Sequence, residues 1–424
     1  MASLNTVRTW IEISRKALHH NVEQFLKLIP ERTRLMAVVK SNAYGHGLVP
    51  VAKILSNLQA PNSKPRNTTS IAAEGGNHEM VEVDTRGKLR LWFGVDSIVE
   101  ALRLRREGIE NPILVLGHTL PSRTEEAAAC DTILTVSTTE ALEVLGHLKT
   151  RPTFHLKIDT GMHRQGFLPH DIFKLVKLLK RFKLTPAGVY THFASAKDPA
   201  DRDYTLRQLT LFEDVISALE RAGIRGMIRH AAATGGTLLF PESHLDMVRI
   251  GMGLYGYWPS AESKASLSIR MFKTFKKHAP YRTEGSGAGF KSLKPALTWK
   301  TIVGEVKEIP KGSLVGYDGT ECTQRRTKIA VLPIGYWHGY DRGLSGIGEI
   351  LIRGKRARVL GRVSMDMVVA DVTDVPRVKI GDEAVLIGRQ GGGALWADEL
   401  AAKIGTTPYE FLTRINPLIR RIPV

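Results

Sequence analysis

Between about residues 35 and 255, short apolar runs alternate with longer stretches of helical periodicity. The runs at 35–39, 91–95, 113–116, 132–136, 153–158, 187–193, 227–231 and 247–250 have the length and apolar character of buried strands. Segments 97–107, 138–148, 170–179 and 203–222 repeat apolar residues at the spacing of a helix face. Upstream, 9–14 alternates as a short strand, and Ser14 can cap a helix running to about Leu28, with Leu18, Val22, Phe25 and Leu26 on one face. Eight strand–helix units predict an α/β fold, a (β/α)8 TIM-like barrel. An open doubly wound sheet is the alternative, but no GxGxxG opens a helix to favour it.

From about residue 296 the texture changes to short β-rich segments between Gly and Pro, at 298–309, 328–334, 348–352, 355–360, 367–372 and 383–387. They predict a small antiparallel barrel or sandwich, followed by a helix at 397–404 and a basic C-terminal tail. The expected domains are an N-terminal strand in 1–14 packing with the C-terminal domain, a barrel over 15–258, a basic linker over 259–295 and a β-rich domain over 296–424. The polar stretch 59–90 and the basic stretch 260–295 interrupt the pattern and read as surface insertions.

The net charge of +18 invites a nucleic-acid reading. Its distribution argues against one: 260–295 holds eight Lys or Arg against two acidic residues, and 321–362 nine against three. Neither segment resembles a recognition helix. Cys130 and Cys322 make no disulfide framework and lack CxxC spacing, so no metal site is expected. No apolar run is long enough for a membrane span, and a cytoplasmic location is the default expectation.

The candidate chemistry lies at strand ends. Lys40 follows the first barrel strand and precedes a small-residue loop with Gly45 and Gly47; the helix expected at 48–55 points its N-terminus at the same place. A lysine held on a rigid element can act as a nucleophilic amine toward an aldehyde such as pyridoxal phosphate, although the local residues leave aldolase-like chemistry equally open. In 153–159, alternation sends Phe154, Leu156 and Ile158 to one side and His155, Lys157 and Asp159 to the other, so Lys157 faces the barrel interior. There it meets Arg164 and like-charge repulsion. His192 ends the next strand, and Arg249 ends another, with Gly251 and Gly253 beyond it as backbone donors suited to a phosphate.

Residues 37–47 (AVVKSNAYGHG) resemble the pyridoxal-phosphate motif of the alanine racemase family. Segments 155–162 (HLKIDTGM), 190–193 (YTHF), 246–249 (DMVR), 315–317 (VGY), 333–336 (PIGY) and 361–366 (GRVSMD) resemble its other signatures, in the same order. The resemblance covers nearly the whole chain outside the two insertions. It implies a pyridoxal 5'-phosphate enzyme that racemises alanine for peptidoglycan, with Lys40 and Tyr317 as opposed bases on the two faces of the substrate carbon. A phenol serves as a base near neutral pH only if its anion is hydrogen-bonded, which the resemblance assigns to a His192–Arg249 network. It also implies Arg249 facing the pyridine nitrogen, and Tyr44, Thr234 and the backbone of Gly251 and Met252 around the phosphate. Arg164 and the Met365 amide would take the substrate carboxylate, Tyr336 and Met365 would gate substrate size, and Lys157 would be carbamylated. A homodimer with shared active sites is implied, because in the family the tyrosine comes from a second subunit.

Two positions depart from the family pattern. Ala233 stands where Asn often precedes the phosphate-binding hydroxyl, and Pro417 stands where a phosphate-contacting Tyr is common. Weaker cofactor retention is the expectation. The rivals are a serine or broad-specificity racemase on the same fold and a non-catalytic pyridoxal-phosphate protein; the second domain, carrying Tyr317 and Tyr336, opposes the latter.

Overall fold

The computed structural model describes residues 7–58, 91–267, 290 and 292–424. The insertion at 59–90 and most of the basic stretch, 268–289 and 291, lie outside the described residues. The described chain forms two compact units, one holding 18–40 and 52–294, the other holding the residues up to Ala17 together with Ser41–Val51 and Pro295–Val424.

After an N-terminal strand, β1 (Thr9–Ile13), the first unit takes the apolar runs as β2 (Arg34–Val38), β3 (Trp92–Val95), β4 (Ile113–Val115), β5 (Ile133–Val136), β6 (Phe154–Lys157), β7 (Gly188–Tyr190), β8 (Ile228–His230) and β9 (Met247–Ile250). They make one eight-stranded sheet in the order β8-β7-β6-β5-β4-β3-β2-β9, every ladder parallel. The seam between β8 and β9 is bridged at Ala233–Arg249 and by the Asp246 amide donating to the Arg229 carbonyl at 3.0 Å, so the sheet curls into a nearly closed barrel. The strand at 187–193 is shorter than its apolar run: β7 ends at Tyr190, and His192 lies in the loop beyond. Helices fill the gaps between strands for local reasons. Ser97 and Thr138 each cap a first turn with the side-chain oxygen. Helix Ile172–Arg181 buries Leu175, Leu178 and Leu179, one face at 3–4 spacing, each contributing about 1.5–3 kcal/mol if fully removed from water.

The second unit is β-rich. Its ten-stranded sheet runs β11-β14-β17-β16-β15-β18-β10-β1-β20, built from β10 (Leu297–Ile302), β11 (Glu305–Ile309), β14 (Thr327–Leu332), β15 (Glu349–Ile352), β16 (Lys355–Leu360), β17 (Val368–Asp371), β18 (Glu383–Gln390), β20 (Arg420–Pro423) and the N-terminal β1, with β19 (Gly393–Leu395) paired to β18. A hairpin of β12 (Leu314–Val315) and β13 (Glu321–Cys322) stands apart from it. Strand β10 alternates buried Leu297, Trp299 and Thr301 with half-buried partners, one face packed and one wet. The run at 298–309 is two strands, broken at Val303 and Gly304. The C-terminal basic tail is strand β20, paired parallel to β1 with Trp10 opposite Arg420. Its Arg-rich sequence hides it: Arg421 donates to the carbonyls of Asn416 and Ile419 at 2.7 and 2.6 Å instead of facing water.

Candidate active site

Lys40 leads into a left-handed turn. Ser41, Asn42, Ala43 and Tyr44 have φ of 52–55°, and Gly45 and Gly47 follow at 85° and 99°. Left-handed backbone costs about 1–2 kcal/mol per non-glycine residue, so the turn must be held by its surroundings. Asn42 Oδ1 accepts from the Leu48 amide at 2.9 Å. His46 Nδ1 sits 3.1 and 3.0 Å from the Ala43 and Tyr44 carbonyls, and burial lowers its pKa to about 4, so it serves there as a neutral donor. Arg421 closes the turn, donating Nε and Nη2 to the Gly45 carbonyl at 3.1 and 3.0 Å. A Cβ at Gly45 would lie 2.1 Å from the Leu412 carbonyl, so only glycine fits.

In the barrel unit, Lys40 is partly exposed and its Nζ lies 3.4 Å from Asp96, a partner the sequence did not single out. Lys157 faces the interior at 6% exposure. Its Nζ donates to Gln165 Oε1 at 3.1 Å and lies 5.4 Å from the Tyr190 ring centroid. Burial, then the charge of Arg164, lowers its pKa to about 8. The loop carrying Arg164 is fixed by Asp159, whose carboxylate accepts from the amides of Gly161, His163 and Arg164 at 3.0, 2.9 and 3.0 Å. An Asp two residues before a Gly was the available sequence signal for such a turn.

Arg249 is 3% exposed and is caged by neutral acceptors. Nη2 donates to the carbonyls of Thr191 and Ala231, both at 2.7 Å, and lies 3.4 Å from His192 Nδ1. Nη1 donates to His230 Nδ1 at 2.7 Å. That bond puts the His230 proton on Nε2, which donates to His155 Nδ1 at 2.9 Å. Burial holds both imidazoles neutral, His155 at about 3. The Tyr190 ring stacks on His230 with centroids 4.7 Å apart, and burial pushes its phenol up to about 12. Among the described residues neither Lys157 nor Arg249 has a carboxylate partner within ion-pair distance.

Beyond Arg249, the amides of Gly251 and Gly253 point at Thr234 Oγ1, at 3.2 and 3.4 Å. Met252 is buried beside them. A Cβ at Gly253 would meet the Phe25 ring at 2.5 Å and the Thr234 methyl at 2.7 Å, so the backbone packs tightly against the Thr234 side chain. Ala233 offers the short helix Thr234–Leu239 no side-chain cap. A hydroxyl, backbone amides and the buried Arg249, which has no carboxylate partner among the described residues, suit a phosphorylated anionic cofactor, and Lys40 offers the kind of amine that an aldehyde cofactor needs.

In the β-rich unit the named side chains are exposed: Tyr317 by 70%, Met365 by 53% and Tyr336 by 42%. Gly316, at φ 76°, turns the chain into Tyr317, and Asp318 behind it pairs with Arg362 at 3.0 Å. The Tyr336 amide donates to the Ser364 carbonyl at 3.1 Å and the Trp337 amide to the Met365 carbonyl at 3.1 Å, which sets Tyr336 beside Met365. Tyr44 meets Tyr409 edge to face, with centroids 6.1 Å apart.

Models of the alanine racemase N-terminal domain match residues 13–62 and 73–259, and the model of its C-terminal domain matches 296–423. This chain belongs to the alanine racemase family. It is therefore an amino-acid racemase, an isomerase. It is similar to the alanine racemase of Leptospira interrogans serogroup Icterohaemorrhagiae serovar Lai, 35% identical over 99% of this chain and 97% of that protein. The alanine racemase of Symbiobacterium thermophilum is 38% identical over 98% of this chain and 96% of that protein. The crystal structure of a Bacillus anthracis alanine racemase, solved with bound L-Ala-P, superposes with a TM-score of 0.79 at 33% identity, covering 98% of this chain and 95% of that one. An alanine racemase of Clostridium difficile 630 gives 0.81 at 28% identity, covering 99% and 96%. No helix among the described residues is long and apolar enough to cross a membrane.

Proposed function

We propose that this protein interconverts L- and D-alanine with pyridoxal 5'-phosphate, using Lys40 and Tyr317 as opposed bases, and that it supplies D-alanine for peptidoglycan from the cytoplasm. The observation that carries the reading is the set of cations at the barrel's strand ends, Lys40, Lys157, Arg164 and Arg249, with buried Lys157 and Arg249 lacking carboxylate partners among the described residues. Such a site is made for an anion, and both the cofactor and the amino acid are anionic.

Lys40 would hold the cofactor through its amine, with Tyr44, the Thr234 hydroxyl and the backbone of Gly251 and Met252 around the phosphate. Bound there, pyridoxal phosphate supplies the electron sink that acidifies the substrate's α-hydrogen. Arg249 would face the ring nitrogen. Burial lowers its pKa only to about 10, so the caged guanidinium keeps its protons and gives none to the ring. Arg164 and the Met365 amide would bind the carboxylate, and Tyr336 with Met365 would limit the side chain. Lys40 would move the proton on one face and Tyr317 on the other, with the phenolate held through His192 and Arg249. Domains follow the same division: a barrel over 15–258 and a β-rich domain over 296–424 joined by β1, assembled as a homodimer that shares its active sites.

Lys157 would be carbamylated. A neutral lysine amine adds to carbon dioxide, forming an N–C bond and releasing one proton, and the neutral form is populated from about pH 8 upward. The product is an anion beside Arg164, which replaces a repulsive pair by a charge-assisted hydrogen bond. Incubating purified protein and pyridoxal phosphate with a panel of L-amino acids, followed by chiral analysis, tests the reading. Alanine racemised fastest supports it; serine or a broad set racemised equally well, or no racemisation at all, overturns it.

A further inference from the structure

The loops carrying Arg164 and His192 leave different strands, yet one helix face touches both. Helix Arg202–Arg221 turns Tyr204, Thr205 and Gln208 toward the barrel, at the helical spacing of neighbouring turns. The Tyr204 hydroxyl donates to the Gly161 carbonyl at 2.7 Å. Gln208 is 1% exposed, and its Oε1 accepts from the Ala194 amide at 3.0 Å, two residues beyond His192. That bond fixes the orientation of the amide, because the Ala194 N–H demands an oxygen. Nε2 is thereby turned toward Gly161, where a Cβ would meet Tyr204 Oη at 2.8 Å and Gln208 Nε2 at 3.3 Å. Among the described residues Nε2 has no hydrogen-bond partner, so its role against Gly161 is one of contact. Gly161 is the first residue whose amide Asp159 grips, and the same grip extends to Arg164.

We propose that Gln208 and Tyr204 are positioning residues that set the Arg164 loop and the His192 loop in register. Neither touches substrate or cofactor in this scheme; both act through the loops they hold. Tyr204 braces the Arg164 loop alone, whereas Gln208 braces both. The inference rests on the proposed roles of Arg164 in binding the carboxylate and of His192 in the proton-transfer network.

The two residues therefore have different kinetic signatures. Tyr204→Phe removes one hydrogen bond to the Arg164 loop and should raise KM about fivefold with kcat unchanged, the behaviour of lost uniform binding. Gln208→Met leaves the Ala194 amide unpaired and removes the contact with Gly161, so it should raise KM and lower kcat, each by about tenfold. If Gln208→Met does not accumulate as folded holoenzyme, Gln208→Glu keeps an oxygen for Ala194 and replaces the amide nitrogen facing Gly161 by an ionisable carboxyl oxygen; it should then raise KM with kcat kept. Kinetics are measured on holoenzyme with the amino acid that the wild type racemises best, so a wrong substrate appears in the wild type and a wrong bracing role only in the variants. A split in which Tyr204→Phe moves KM alone and the Gln208 variant behaves as stated supports the proposal. Variants that lower Tm while KM and kcat stay at wild-type values overturn it, as does an unchanged KM in Tyr204→Phe.

Discussion

The barrel hides two of the proposed site residues, Lys157 and Arg249, and the β-rich unit displays those proposed there. Lys157 and Arg249 lie at 6% and 3% exposure, whereas Tyr317 and Met365 lie at 70% and 53%. A buried cation must be caged by acceptors, so in the barrel the same contacts serve stability and chemistry. An exposed phenol on a glycine turn has little to lose. Function and stability should therefore be coupled in one unit and separable in the other.

The largest effect tests the amine that the barrel presents. Lys40→Ala should lose covalent capture of pyridoxal phosphate, followed by mass spectrometry of the denatured protein after borohydride reduction, and reduce racemisation by about 10⁴-fold or more. Cofactor that stays covalently attached after that treatment would remove Lys40 as the anchor. Tyr317→Phe should lower kcat by about 10²–10⁴-fold yet leave unfolding free energy within about 0.5 kcal/mol, read by denaturant titration. A large stability loss there would break the contrast between the units.

Arg249→Met should show the opposite coupling. It strands the Thr191 and Ala231 carbonyls and His230 Nδ1, each unpaired buried group costing about 1–3 kcal/mol, so roughly 3 kcal/mol or more of stability should go along with activity. Lys157 gives a smaller, pH-dependent effect. Its folded pKa is depressed to about 8, so the unfolded chain binds the extra proton between there and the ordinary lysine value. In solution freed of carbon dioxide, wild-type stability relative to Lys157→Met should then rise with pH above about 8, by about 3 kcal/mol. A flat difference across that window would mean that burial does not perturb the amine. With labelled bicarbonate present, a carbamate carbon resonance should appear in the wild type and be missing in Lys157→Met.

The sequence disclosed what repeats and what alternates. All the barrel strands stand where apolar runs stood, and Lys157 points inward because alternation along β6 is obligatory once Phe154 and Leu156 pack outward. Strand β20 was hidden because its residues pair through backbone while Arg421 spends its side chain on carbonyls. The left-handed turn after Lys40 was half legible: Gly45 and Gly47 signalled it, but its positive φ begins on Ser41, enforced by Asn42, His46 and Arg421. The Arg249–His230–His155 chain gave no local signal, since it joins three strands that meet only in the closed sheet. Tyr317 was singled out by motif resemblance alone, because an exposed side chain leaves no periodic trace.

The central claim is that Lys40 and Tyr317 work on opposite faces of one carbon. Exchange of the α-hydrogen in deuterium oxide, followed by proton NMR for each alanine enantiomer separately, tests it most directly with Tyr317→Phe. Because the family resemblance sets the tyrosine at the L-side hydrogen and the lysine at the D-side one, the account predicts that exchange from L-alanine collapses while exchange from D-alanine persists. Equal loss from both enantiomers would contradict it.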